Sequence, residues 1–378
     1  MGWPRLTLPL LAALLVACSG DSDDTPAGGN GGSPTTPDAT TSTGATGDTG
    51  PSTPSPTGPT ADTAFTSTGG DTRSTAATGA TGATADTGTS TLPVIDCAAV
   101  SPNPLSQRSV PGARGYHGLV FADDGRLVGS DGNTLLGADI KGSTTVILPG
   151  TGSLQQLDKL SDGTLVAASS ADGAVFTVDP TTGGTAVLNA GLGFSLYGLL
   201  VGPDDKVYAA DQDRIVRIDP ATGTSEVWLD NANVVPKVLD FNIDYTKMYV
   251  GTNSSNGKVF EVPLDANYDP VGPPVELAQT PGSWHDGLTV DICGNIYVAE
   301  FNNRAMYRIT PSGQVGTLYD LGGANNNQYG HGVVFGTGTD GWLADAIYVP
   351  QPYNGNTVAE FVLGVPHRTY PGPVINGP

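Results

Sequence analysis

From about residue 94 onward the chain is written in short apolar runs, alternating or continuous, each ended by Gly, Asp, Asn or Pro. Runs of this length, rich in Val, Ile, Leu, Tyr and Phe and bounded by turn residues, predict strands, and almost no segment shows the 3.6-residue period of a helix. One stretch shows the grammar in full. In His285-Asp-Gly-Leu-Thr-Val-Asp-Ile-Cys-Gly-Asn-Ile-Tyr-Val-Ala-Glu300, Leu288 and Val290 alternate with polar neighbours, Asp291 to Asn295 supply turn chemistry, and Ile296 begins a second β-rich run. It predicts a β-hairpin.

The same hairpin recurs when the chain is aligned on its turns. The copies begin at His117-Gly-Leu-Val-Phe, Gln155-Gln-Leu-Asp-Lys, Tyr197-Gly-Leu-Leu-Val, Lys237-Val-Leu-Asp-Phe, Asp286-Gly-Leu-Thr-Val and His331-Gly-Val-Val-Phe, spaced by 38 to 49 residues. Third strands follow in Ala174-Val-Phe-Thr-Val, Arg214-Ile-Val-Arg-Ile, Lys258-Val-Phe-Glu-Val and Ala305-Met-Tyr-Arg-Ile. Fourth strands follow in Thr145-Val-Ile-Leu, Thr185-Ala-Val-Leu, Glu226-Val-Trp-Leu and Val315-Gly-Thr-Leu-Tyr. Four strands repeated six times at this period predict an all-β fold, a six-bladed β-propeller over 93–378; a sandwich would leave the repetition unexplained. Either Val94-Ile-Asp-Cys or the stretch near His367-Arg-Thr-Tyr370 is expected to supply the outermost strand that closes the ring.

Composition changes the picture only at the N-terminal end. Residues 1–17 carry one basic residue, Arg5, an apolar run from Leu6 to Val16, and the sequence Leu15-Val-Ala-Cys18. The run is too short for a permanent span but has the length of a signal-peptide core, and its end resembles a bacterial lipobox in which Cys18 is lipidated. A plain secretory signal with a chance cysteine is the alternative. Residues 18–92, the lipidated Cys and a Thr/Gly/Ser/Pro/Asp-rich linker, hold too little apolar surface to offset chain entropy and are expected to be disordered. Such a linker of roughly 70 residues would stand the propeller some 40–50 Å from a bilayer. Ser19 rather than Asp after the cysteine points to export and anchoring at the bacterial outer membrane or cell surface.

Charge excludes more than it suggests. Residues 94–378 carry 29 acidic and 14 basic residues, a net of −15, which argues against a nucleic-acid partner and against membrane contact other than through the lipid. With Cys18 taken by lipid, Cys97 and Cys293 form an even pair in a compartment that permits disulfides, so a bridge is expected; two unrelated buried thiols are the alternative.

Pro203-Asp-Asp-Lys-Val-Tyr-Ala-Ala-Asp and Asp286-Gly-Leu-Thr-Val-Asp with Gly-Asn-Ile-Tyr-Val-Ala resemble the propellers of the gluconolactonase, or senescence-marker-protein, superfamily and related NHL-type propellers, over about residues 110–365. The resemblance implies a divalent cation at one mouth of the channel, held by a Glu, two Asn and an Asp. Asp286 matches that Asp. His117 or Tyr116 stands where the Glu would be, and Lys237 where the Asn of an Asn-Gly-Leu motif would be, which places an ammonium against metal occupancy.

Read from the residues alone, the positions just before each inner strand converge on the channel mouth. They are His117, Gln155, Tyr197, Lys237, Asp286 and His331. Blades five, six and one are consecutive, so Asp286, His331 and His117 would be neighbours, and two His with one carboxylate suit a single divalent metal ion. Lys237 and Tyr197 would face them as catalytic groups, Gln155 would bind ligand, and Trp284 and Tyr329 would stack on a sugar. Polar residues also line any wet channel, His285 should point away from Asp286, and Glu300, Asn302 and Asn303 are expected in surface turns. No Gly-x-Ser-x-Gly elbow, phosphate loop or His-Glu-x-x-His is present. Two functions remain open: a lipid-anchored, monomeric propeller that binds a small polar or carbohydrate-like ligand, with hydrolase or lyase activity of the lactonase type; and a non-catalytic surface module that binds a protein or glycan.

Overall fold

The computed structural model describes residues 92–377 except 153, 194–195, 232 and 323–327. The signal segment, Cys18 and the linker up to residue 91 lie outside the described residues. Six four-stranded antiparallel sheets follow one another along the chain. Five are built in simple order from inner to outer strand, beginning at Leu119–Phe121, Leu154–Lys159, Leu199–Val201, Pro236–Phe241 and His285–Val290. The sixth runs Val334–Phe335, Ala346–Gln351, Thr357–Val362 and then back to Ser106–Val110. The protein is a six-bladed β-propeller.

Burial explains why the strands read differently. The second strand of each blade is covered on both faces by neighbouring blades, so it is continuously apolar: Leu165–Ser169, Val207–Asp211 and Ile296–Glu300 are buried at every residue. Outer strands such as Thr185–Ala190 lie at the rim and keep most of their residues exposed. Tight turns between first and second strands need positive φ at one position, supplied by Gly125, Gly163 and Gly294. Tyr245 takes that conformation in blade four, where its ring packs beneath the Arg368 guanidinium.

The ring is not closed by either expected segment. Ser106–Val110 supplies the outermost strand, antiparallel to Thr357–Val362, and Arg108 clamps it through paired hydrogen bonds to Glu360 at 2.5 and 2.8 Å. Tyr348 donates to the same carboxylate at 2.8 Å. Ile95–Asp96 instead pairs in parallel with Val374–Ile375, outside the blades. The C-terminal segment crosses one end of the channel: Arg368 N donates to Val290 O at 3.0 Å, and its guanidinium meets Asp240 Oδ1 at 3.0 and 3.1 Å. A cavity of about 380 Å3 lies in the channel, lined at different points by Gln156 and Arg368.

Cys97 and Cys293 are joined by a disulfide that links positions 196 residues apart. It ties the segment before the closing strand to the hairpin turn of blade five. A loop of this length would remove about 5 kcal/mol of unfolded-state entropy in the chain-entropy treatment. Chemical denaturation of Cys97→Ser/Cys293→Ser should therefore show a large loss of stability with unchanged far-UV circular dichroism. A midpoint equal to the wild type would contradict the role given to the bridge.

Candidate functional site

The residues at the mouth are aimed there by irregularities at the start of the inner strands. Pairing jumps between Pro236 and Val238, between His285 and Gly287, and between Leu154 and Leu157. Each jump is a β-bulge, which leaves an extra residue unpaired and redirects its side chain. Lys237 and Asp286 are such residues, and their side chains meet, with Lys237 Nζ 2.5 Å from Asp286 Oδ1. His285, one residue earlier, is fully buried and turned away: Nδ1 accepts from Thr252 N at 3.3 Å and Nε2 meets Thr280 Oγ1 at 2.7 Å.

Five of the ring residues form one connected group, with three of them gathered around that ion pair. His331 Nε2 lies 3.7 Å from Asp286 Oδ2, and His331 Nδ1 lies 2.6 Å from His117 Nδ1. Tyr197 Oη is 3.1 Å from His117 Nδ1 and 3.4 Å from His331 O. The Lys237 ammonium sits over the Tyr197 ring at 4.4 Å and the Trp284 ring at 5.2 Å.

Electrostatics assigns the protons. Burial pushes His117 down to about 3 and His331 well below the ordinary histidine value, with the Lys237 charge adding to both, so both imidazoles are neutral. The Asp286 carboxylate favours the proton of His331 on Nε2, facing it. Nδ1 of His331 is then the acceptor, His117 Nδ1–H the donor, and Nε2 of His117 keeps its lone pair. Burial and the Asp286 charge raise Tyr197 well above the ordinary phenol value, so it stays a hydrogen-bond donor.

The expected metal set requires correction. Asp286, His331 and His117 are neighbours, as consecutive blades require, but Lys237 occupies the carboxylate and the two imidazoles direct Nδ1 at each other. Among the described residues no group of three or more His, Cys, Asp or Glu side chains is arranged to hold a metal ion. The donor set does not fit a divalent cation.

The Gln155 amide donates to Ser170 Oγ at 3.0 Å, and the next residue reaches across the channel: Gln156 Nε2 donates to Asp286 O at 3.0 Å and to His331 O at 3.5 Å. The bulge in blade two sets two residues, 155 and 156, opposite one, and alignment on its first residue misses the second. The signal in the sequence is that Gln156 stands where blades one, three, five and six have Gly.

Aromatic side chains wall the mouth. Trp284 stacks on Phe301 at 5.8 Å and 21°, Phe301 lies 4.7 Å from Tyr329, and Tyr329 4.9 Å from Tyr353, between ring centroids. Phe301 also meets His331 at 4.8 Å, and Tyr116 meets His117 at 4.5 Å. Trp284 and Tyr329 were read from the sequence; Phe301 and Tyr353 were not. Phe301 follows its second strand where earlier blades carry Asp131, Ser170, Gln212 and Asn253, which is the signal that could have found it. Glu300 is fully buried rather than in a surface turn, while Asn302 and Asn303 are exposed. The Glu300 carboxylate accepts from the backbone N–H of Ser283, Trp284, Asn302 and Asn303 at 2.6–3.2 Å, folding the two loops that carry Trp284 and Phe301.

This geometry defines a propeller with an aromatic-walled channel mouth over a polar floor. Residues 160–329, blades two to five, match the SMP-30/gluconolactonase/LRE-like region, the group that the sequence motifs resemble. Solved structures share the fold at low identity. A gluconolactonase from Xanthomonas campestris is 16% identical with a TM-score of 0.57, covering 69% of this chain and 89% of that one. A calcium-binding regucalcin from Agrobacterium tumefaciens is 17% identical with a TM-score of 0.56, covering 75% and 99%. An auxiliary nutrient-binding protein from Bacteroides thetaiotaomicron is 11% identical with a TM-score of 0.53, covering 66% and 69%. No curated protein matches the sequence.

The histidines predict a pH dependence. The chain has four, and burial lowers all of them: His117 to about 3, His285 and His367 to about 4, and His331 further. An imidazole with a depressed folded-state value contributes stability that is fully present above pH 6.5 and is lost as pH falls toward that value. Asp158, which burial raises to about 6, acts in the opposite sense but is outnumbered. Denaturant midpoints should fall steeply from pH 6.5 to 4, with net proton uptake on unfolding. A flat profile over that window would contradict the neutral, buried histidines.

Proposed function

We propose that the channel mouth binds a small, hydroxylated, carbohydrate-like ligand. The observation that carries this reading is the arrangement of Trp284, Phe301, Tyr329 and Tyr353 beside one floor made of Lys237, Asp286, Tyr197 and the two imidazoles. Apolar ring faces next to fixed donors and acceptors match the two kinds of surface that a sugar presents. The names of the fold relatives, a gluconolactonase and a nutrient-binding protein, lend support by analogy.

A hydrolytic reading is favoured by Tyr197 and Lys237, which can supply donors to a carbonyl oxygen, with the neutral His117 imidazole beside Tyr197 positioned to hold a water by hydrogen bonding. This chemistry uses no metal. Binding at an extracytoplasmic surface, through export and lipidation at Cys18, completes the proposal. The Cys97–Cys293 bridge supports an oxidising compartment.

Titration of the purified protein with sugars and sugar lactones, followed by tryptophan fluorescence, should show saturable binding. Tyr353→Ala, at the exposed rim, should weaken it by about tenfold, the value of one stacking contact. If a lactone is turned over, EDTA should leave the rate unchanged and His117→Ala should remove it. Absence of any ligand from such a panel would sink the mouth as a binding site and leave a surface module for a protein or glycan. Cys18→Ser should shift the expressed protein from the membrane fraction to the soluble fraction; an unchanged distribution would rule out the lipid anchor.

A further inference from the structure

We infer that the Lys237 ammonium is the built-in cation of this mouth, standing in place of a divalent ion and selecting ligands that present a carboxylate or carbonyl oxygen to the floor. The inference rests on the mouth being a ligand site, and it names the class of ligand.

Its basis is the disagreement between the superfamily's metal site and the donor set of this chain. Lys237 occupies a bulge position of the same kind as Asp286, so its side chain is directed to the floor by the backbone. Its Nζ reaches Asp286 Oδ1 at 2.5 Å, against the one carboxylate that matches the superfamily's ligand set. The faces of Tyr197 and Trp284 hold it from other sides at 4.4 and 5.2 Å. A divalent ion bound to Asp286 would lie within a few ångströms of this ammonium, and repulsion between the two would cost many orders of magnitude in affinity. The cation site is therefore filled by the chain itself.

A tethered ammonium also differs from a metal in what it recognises. It is a point charge with three N–H donors, set against Asp286 as an ion pair, and it suits an acceptor oxygen carrying full or partial negative charge. His117 and His331 are neutral, so Lys237 is the positive group on the floor. His117 Nε2 beside it is an acceptor, suited to a ligand hydroxyl. The aromatic wall takes the carbon skeleton. A polyhydroxy acid or its lactone carries all three features, an acceptor oxygen, hydroxyl donors and an apolar face, whereas a neutral sugar lacks the first.

The test uses the full protein, with calcium and zinc as metal probes and gluconate as the oxyanion probe, in titration calorimetry. The wild type should bind neither metal stoichiometrically. Lys237→Asn, which removes the charge and adds an oxygen donor, should bind calcium at least tenfold more tightly than the wild type. Gluconate binding to the wild type should survive EDTA, fall by thirtyfold or more in Lys237→Met, and be largely kept in Lys237→Arg, with thermal melts confirming that each variant folds. Stoichiometric calcium or zinc in the wild type would overturn the inference, as would gluconate binding in Lys237→Met equal to that of the wild type. If gluconate binds to neither, the ligand reading fails, and the metal titrations still decide whether Lys237 fills the ion's place.

Discussion

The close approach of the inner strands at the channel mouth is the constraint on which the rest of the site depends. At the first turn of the ring, neighbouring blades share backbone hydrogen bonds, Gly118 N to Gln155 O at 3.0 Å and Gln156 N to Tyr197 O at 3.2 Å. There is no room for a side chain on the near side. A Cβ at Gly118 would lie 2.5 Å from Leu157 N, at Gly198 2.1 Å from Lys237 O, and at Gly332 2.5 Å from His117 O. Glycine after the ring residue lets the backbones touch, and the touching backbones bring His117, Tyr197, Lys237, Asp286 and His331 within reach of one another.

Crowding of this kind determines the chemistry. One carboxylate and one ammonium are drawn together with little water between them, and two imidazoles are desolvated until neither carries a charge at ordinary pH. The floor therefore holds a single ion pair and a set of neutral donors and acceptors, an arrangement that orients a polar ligand without a metal. Glu300 performs the matching task for the wall, gathering four backbone N–H groups so that Trp284 and Phe301 stack. One buried acid at a strand end thus connects the repeat to the aromatic wall of the mouth.

The blades were legible in the sequence because each is the same packing problem solved again, and its solution is a repeated pattern of strand, turn and strand. The identity and order of the ring residues followed from that repetition. The closing strand was not legible: Ser106–Val110 is exposed at its first four residues, so it lacks the apolar signature of the strands it joins, and it is held by Arg108 and Glu360. Gln156 was missed because a bulge shifts by one the residue that faces the channel. Phe301 and Tyr353 lie beyond the ends of their second strands, where the strand pattern stops; only comparison of the residue after each second strand marks Phe301 as an aromatic among polar counterparts. Lys237 was legible as an ammonium set against metal occupancy, but residue types alone do not reveal that it reaches the Asp286 carboxylate at 2.5 Å.

The most direct examination of this account is an anomalous diffraction measurement at the channel mouth, on crystals of the wild-type protein equilibrated with zinc at neutral pH. The account predicts no anomalous peak between Asp286, His331 and His117, with the Lys237 ammonium in contact with Asp286. A strong peak bonded to Asp286 and His331, with Lys237 swung away, would contradict it.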